Sequence, residues 1–278
     1  MIGQLIQKII FSNPKWAMKF MASKTSEWWI RKGKDKVLNS FWEAAEKVPA
    51  YKEFLKEHGV DPYKILTFED FQKYVPLTDK KNYILKYPLE KLCLGGDLAK
   101  MYTVSMSSGT SGMPAFWARI KEQDKVIPKF MEMILLRETE IDKKSTLILL
   151  CLSLGVYTAG EMMSYALKDM INSKRHRLTV VTVGSEKENA VKVLKFLSPY
   201  YDQVFIWAYP SFFRELVDEC EREGIELKKM KLKIWLGGEG TTLEWEEYMR
   251  KRLGLPQNDY SQFISFFGES SLGLVGSG

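Results

Sequence analysis

The sequence predicts an α/β protein: a mostly parallel sheet flanked by helices, with a helical N-terminal region. Three observations carry that prediction. Beyond about residue 145, short apolar segments alternate with amphipathic ones at spacings suited to crossover connections. The first ninety residues show helical periodicity broken at Pro62, Pro76 and Pro88. Between these regions two short apolar segments bracket the polar run Ser107-Ser108-Gly109-Thr110-Ser111-Gly112. Two parts are expected, a helical region over 1–90 packed on the core and an α/β core over 91–278.

In the first part, Asp35 is placed to cap a helix over Lys36 to Val48. Its Val37, Leu38, Phe41, Trp42, Ala45 and Val48 recur on one face. Pro49 ends it, and a second helix runs from Tyr51 to His58 until Gly59. Thr67 with Asp70 forms a capping-box pair, and Thr78 is expected to cap a helix reaching about Tyr87. Strands are expected at Tyr102 to Met106 and Ala115 to Ile120 on either side of the polar run.

The second part is expected to place strands at Thr146 to Leu152, Leu178 to Val183, Gln203 to Ala208 and Lys233 to Leu236, with a further apolar segment at Phe263 to Phe266. Helices are expected at Gly160 to Asn172, Glu186 to Leu197, Ser211 to Glu223 and Leu243 to Leu253. Ser185 and Glu188 form the capping box of the second. Glu161 falls in a first helical turn, where the dipole favours it. His176, flanked by Lys174, Arg175 and Arg177, reads as a solvated basic turn. Trp207, Tyr209, Phe212 and Phe213 read first as aromatic core and second as a pocket wall.

Composition narrows the function. The chain has 278 residues, 45% of them hydrophobic and 13% aromatic, enough for a substantial core. Its three cysteines, Cys93, Cys151 and Cys220, are far apart, and His58 and His176 are its two histidines. That argues against a disulfide scaffold or a zinc site and for a reducing, cytoplasmic compartment. The net charge of +6 is not spread evenly, because residues 1–36 hold eight basic side chains against Glu27 and Asp35. The rest of the chain is balanced, so no nucleic-acid surface is indicated. The basic arm also carries Trp16, Phe20, Trp28 and Trp29. Packing on the domain with lysines in water is one reading, and peripheral contact with an anionic membrane is the other. Leu147 to Val156, the longest apolar run, is too short to span a bilayer.

The polar run is suited to one task. Its glycines let backbone N–H groups turn toward a common point and its hydroxyls add donors, so a polyphosphate can be wrapped closely. It lacks the Gly-Lys-Ser/Thr ending of a Walker A loop, and the alternative is a plain polar hairpin turn. Two later segments, Gly237-Gly238-Glu239-Gly240 and Phe266 to Ser271, follow apolar strands where α/β sheets bind ligands.

Taken in order, these motifs resemble the adenylate-forming superfamily of acyl-CoA synthetases, in its phenylacetate–CoA ligase-like branch. Ser107 to Pro114 looks like the family's Ser/Thr-Ser-Gly-Thr-Thr-Gly-Lys-Pro phosphate loop. Val48 to Tyr51, Gly59 to Pro62, Phe68 to Phe71 and Pro76 to Thr78 resemble the branch's helical entry segment. Gly155-Val156-Tyr157-Thr158-Ala159-Gly160 is similar to its Gly-Leu-Phe-Thr-Gly-Gly turn, Gly237-Gly238-Glu239 to its Gly-Ala-Glu segment, and Phe267 to Ser271 to its Tyr-Gly-x-Ser/Thr-Glu segment.

The resemblance implies an AMP-forming carboxylate–CoA ligase using ATP, Mg²⁺ and CoA on a small carboxylic acid. It implies a nucleotide site of Ser107, Ser108, Gly109, Thr110, Ser111, Gly112, Gly237, Gly238, Glu239, Phe267, Gly268 and Ser270. The acyl pocket would include Gly155, Val156, Tyr157 and Tyr209, and Mg²⁺ would lie at Glu269 and Ser271. No residue is singled out as catalytic. Met113 stands where the family has lysine, and Ser271 where it has a metal-holding carboxylate. The family also continues beyond this point, with the rest of the large domain and a small lid bearing the adenylating lysine, so a truncated ligase is expected. Alternatives are a non-catalytic nucleotide- or acyl-binding remnant, or acyl transfer in surface-polysaccharide or acyl-protein synthesis.

Overall fold

A computed structural model describes residues 12–107, 113–256, 260–269 and 273–277. The chain divides into two compact units, Met1–Gln123 and Asp124–Gly278. The division falls later than the expected boundary near residue 90, since the hairpin around the polar run clusters with the helical part.

In the first unit, helix α1 spans Pro14–Ala22, α2 Ser26–Lys47, α3 Pro49–Glu57 and α4 Phe68–Tyr74. Helix α2 begins ten residues before the expected start. Its N-cap is Thr25, whose hydroxyl accepts from Trp28 N at 3.3 Å, and Asp35 lies inside it, paired with Lys32. One internal glycine, Gly33, costs too little to stop a helix whose other residues favour it. The capping box of Thr67 and Asp70 forms as expected. The helix expected after Thr78 does not form: Asp79 caps instead, accepting from Lys81 N and Asn82 N at 2.7 Å, and a single π turn follows at Lys80–Ile84. Phe41, Ala45, Leu55 and Ile65 make one small core and Ala50, Phe54 and Tyr87 another. Strands β1, Thr103–Met106, and β2, Phe116–Arg119, pair antiparallel, with Met106 opposite Phe116.

The second unit is a three-layer α/β structure. Its helices are α5, Ile127–Glu138; α6, Thr158–Asn172; α7, Lys187–Leu197; α8, Pro210–Arg222; and α9, Leu243–Arg252. Its strands are β3, Thr146–Cys151; β4, Leu178–Thr182; β5, Gln203–Ala208; β6, Leu232–Gly237; β7, Phe263–Glu269; and β8, Gly273–Ser277. The sheet order is β4-β3-β5-β6-β7-β8, parallel through β7 with β8 antiparallel at the edge. Strands β3 and β5 are buried at every position, as expected for a sheet covered on both faces.

Alternation along the strands splits the core. Leu147, Leu149, Val204, Ile206 and Ile234 face α7, α8 and α9, through residues such as Leu194, Phe213 and Met249. Ile148, Leu150, Phe205, Trp207 and Trp235 face α5 and α6, through Met131, Leu135, Met163 and Leu167. Helix α5 was not expected from the sequence. Pro128 stands in the helix's first turn, where its missing N–H costs nothing.

Two local expectations are corrected. Helix α7 has no side-chain cap, and Ser185 Oγ instead lies 3.3 Å from Ser153 Oγ, tying two loops together. His176 is not solvated: its side chain is 7% exposed, and Nε2 is 2.7 Å from Oε1 of buried Glu132 on α5, which also pairs with Arg175. Among the described residues, no helix is long and apolar enough to cross a membrane.

Candidate functional site

The strand order defines where a ligand should bind. Strand β3 starts the parallel sheet, β4 lies on one side of it and β5 on the other, so the crossovers diverge between β3 and β5. Open α/β sheets bind ligands at that switch point, beyond the carboxyl ends of the strands. Register aligns those ends: Cys151 pairs with Ala208, Ala208 with Leu236, and Gly237 with Phe266. The next residues on each strand therefore emerge along one edge. They include Gly155 to Tyr157 after β3, Tyr209 after β5, Gly238 and Glu239 after β6, and Phe267 and Gly268 toward the end of β7.

The turn after β3 is tightly made. Gly155 has φ of 78°, a left-handed conformation in which a side chain is strained. Val156 and Tyr157 are exposed, whereas Thr158 and Gly160 are buried at the start of α6. A side chain at Gly160 would place its Cβ 2.0 Å from the Ser153 carbonyl oxygen. The family-like glycine here lets the helix start directly against the turn.

Tyr209 and Gly238 touch. Gly238 has φ of 81°, and a Cβ there would lie 2.5 Å from Tyr209 Cε1. Glu239 turns back to the start of α8: its carboxylate accepts from Ser211 N at 3.0 Å and Ser211 Oγ at 2.8 Å. A carboxylate at a helix N-terminus is favourably placed against the dipole. Together these contacts fasten the Gly237-Gly238-Glu239 segment to the turn between β5 and α8. A bare peptide beside a half-buried tyrosine ring, with Phe267 66% exposed nearby in register, suits a planar base. Trp207, by contrast, is fully enclosed in the core with Trp235 and Phe266, as is Phe213 on the other face.

In the first unit, Ser107 closes the base of the polar run. Its N–H donates to Ala115 O at 2.9 Å, and its Oγ accepts from Ala115 N at 3.0 Å. The hydroxyl keeps its own hydrogen to donate. Met113 is 71% exposed. Residues 108–112, which hold Ser108, Gly109, Thr110, Ser111 and Gly112, lie outside the described residues, as do Ser270 and Ser271. Glu269 ends β7. Among the described residues, no group of three or more His, Cys, Asp and Glu could hold a metal ion. Tyr209, Gly238 and Phe267 thus offer aromatic rings and bare backbone near the strand ends, chemistry compatible with a planar base. Burial raises the thiols of Cys151 and Cys220 to about 12, for Cys220 with help from Glu219 and Glu221, so neither is a nucleophile near neutrality.

The fold is that of the adenylate-forming CoA ligases. Solved structures of 2-hydroxyisobutyryl-CoA ligase match with TM-scores of 0.68 and 0.66, covering 89% and 85% of this chain and 52% of each of theirs, at 15% identity. Those proteins were solved in complex with 2-HIB-AMP and CoA, one in the thioesterification state and one in an open conformation. In sequence, the chain is 24% identical over 214 residues to the phenylacetate-coenzyme A ligase of Pseudomonas putida, spanning 76% of this chain and 45% of that protein. The Aromatoleum evansii ligase of the same name is 25% identical over 219 residues, 78% of this chain and 46% of its own. That of Thermus thermophilus is 26% identical over 211, or 75% and 43%. The chain thus spans less than half the length of these curated relatives, and no family model matches it. Over about three quarters of its length it resembles the phenylacetate–CoA ligase-like branch of that superfamily.

Proposed function

We propose that this chain forms the nucleotide- and acid-binding portion of an AMP-forming carboxylate–CoA ligase, an acid–thiol ligase. The observation that supports it best is the alignment of Tyr157, Tyr209, Gly238 and Phe267 along one sheet edge at the switch point, in a chain carrying the Ser107 to Pro114 phosphate loop. In the proposed reaction, a carboxylate oxygen of a small acid attacks the α-phosphorus of ATP as the bond to pyrophosphate breaks. The CoA sulfur then attacks the acyl carbonyl, and AMP leaves. The first step sets two anions together, so it needs donors to spread phosphate charge and in-line positioning more than an acid or base.

Ser107, Ser108, Thr110 and Ser111 would donate to the β- and γ-phosphates, with Gly109 and Gly112 allowing close approach. Gly237, Gly238, Phe267 and Gly268 would enclose the adenine, with Glu239 fixing the segment, and Ser270 would contact the α-phosphate. Gly155, Val156, Tyr157 and Tyr209 would face the acid, for which phenylacetate is the first compound to try. Glu269 and Ser271 would hold Mg²⁺, which supplies charge neutralisation at the phosphates when bound. ATP and CoA belong to a cytoplasmic setting.

The test is nucleotide affinity. A hydrogen bond to a charged group contributes about 1.5–3 kcal/mol. Thr110→Ala should therefore weaken ATP binding tens-fold in a calorimetric titration, and unchanged affinity would count against the site. Ser271 favours a second reading, a nucleotide- or acyl-binding protein without the full reaction, because a hydroxyl is a poorer Mg²⁺ partner than a carboxylate. Under the first reading, the ligase of which this chain is a portion exchanges pyrophosphate into ATP when the acid is present. Under the second, ATP binds without exchange, and Ser271→Glu tightens metal-dependent binding.

A further inference from the structure

The exposed face of the N-terminal helices combines apolar side chains with an excess of basic ones. On α1, Lys15, Trp16, Lys19 and Ala22 are exposed while Ala17 is buried. Spacings of three and four put Lys15, Lys19 and Ala22 on one face with Trp16 at its margin. Trp16 is 55% exposed, an unusual position for the largest apolar side chain. On α2, Trp29, Gly33 and Lys36 share a face and are exposed, and Ile30 beside them is 60% exposed. The two helices are joined where Trp29 Nε1 donates to Met21 O at 3.3 Å and Phe20 meets Trp28 edge-on. Lys24 Nζ lies over both of those rings.

Charge gives the partner. Residues 12–36 hold Lys15, Lys19, Lys24, Arg31, Lys32, Lys34 and Lys36 against Glu27 and Asp35. Among the described residues, Lys32 pairs with Asp35 and Lys34 with Glu69. An excess of positive charge around outward tryptophans and an isoleucine complements a surface that is negative in its headgroups and apolar just beneath. Tryptophan favours that boundary, and long lysine stems can bury while the ammonium stays among the headgroups. Nucleic acid would match the charge but not the outward Ile30, and it would leave the apolar side chains in water.

We propose that the exposed face of α1 and the first turns of α2 form a docking surface for an anionic lipid bilayer, with Trp16, Trp29 and Ile30 entering the interface and Lys15, Lys19 and Lys36 meeting the headgroups. This surface belongs to the helices of the first unit alone and makes no use of the ligase reading.

Flotation of the full chain with vesicles tests it. The chain should rise with vesicles of phosphatidylcholine containing 30% phosphatidylserine and stay down with phosphatidylcholine alone. Lys15→Glu with Lys19→Glu should weaken anionic binding by roughly tenfold or more, since each basic side chain near such a surface matters severalfold. Trp16→Ser with Ile30→Ser should weaken it at unchanged charge. Both variants change exposed side chains, and an unchanged melting temperature confirms that each is folded. The proposal is overturned if the wild-type chain fails to float with anionic vesicles, floats equally with neutral ones, or binds a random-sequence RNA in preference to them. It is also overturned if either folded double variant floats like the wild type.

Discussion

The ring of Tyr209 fills the space that any side chain at position 238 would need. A Cβ on Gly238 would sit 2.5 Å from Cε1 and 2.7 Å from Cδ1, and the backbone there is left-handed as well. Gly238→Ala therefore carries two penalties, conformational strain and overlap. We expect it to destabilise the second unit by about 2–3 kcal/mol, measured by urea unfolding. Adding Tyr209→Ala should remove the overlap but not the strain. The double variant should thus lose less than the two single losses together.

Gly160→Ala should be at least as damaging. Its Cβ would meet the Ser153 carbonyl oxygen at 2.0 Å, a backbone atom that has no rotamer to escape into. A loss of roughly 3 kcal/mol is expected, with a melting temperature lower by several degrees. Ala159→Gly, on an exposed neighbour in the same helical turn, provides the control. It should cost no more than about 1 kcal/mol.

Glu239 and Ser211 form a two-point clasp, so the variants should rank. Glu239→Ala loses both hydrogen bonds and should cost about 1–2 kcal/mol in unfolding free energy, discounted for exposure. Ser211→Ala keeps the bond from its own N–H and should cost less. Under the proposed function, Glu239→Ala should also weaken ATP binding in a titration, because it frees the segment that encloses the base. Equal effects of the two variants would show that the clasp is not what holds it.

The Glu132 carboxylate predicts a pH dependence. Burial raises it, but hydrogen bonds from His176 and Arg175, with the Arg175 charge, outweigh that and hold it below the ordinary carboxylate range. A carboxyl whose folded value is depressed stabilises fully above its unfolded value, near 4.3, and loses that contribution as pH falls through the folded value. Glu132→Gln should cost roughly 2 kcal/mol at pH 7. The gap from wild type should close as pH falls below about 4 in a series of urea titrations.

Much of the fold was legible because it rests on local pattern. Largely apolar runs such as Thr146 to Leu152 and Gln203 to Ala208 point to buried strands, and the amphipathic segments between them point to crossover helices. Helix starts were less legible. Thr25 and Asp79 capped where Asp35 and Thr78 were expected, because many polar residues can cap and the chain uses only those at which the backbone turns. By local pattern Ser185 suits a cap, yet it bonds Ser153, and His176 suits a solvated turn, yet its side chain is buried on Glu132. In both cases the partner lies more than thirty residues away, where no local pattern points to it.

The sequence by itself determined the class of fold, the order of the motifs and the likeness to CoA ligases, since apolar period, turn residues and short motifs are properties of neighbours along the chain. Only the tertiary structure decided that Tyr209 lies against Gly238, that Glu239 fastens the start of α8, and that Gly155, Tyr209 and Gly238 emerge along one edge. Those relations depend on strand order and register. Both are fixed when buried side chains from distant segments pack on the two faces of the sheet, and no stretch of the chain encodes them alone.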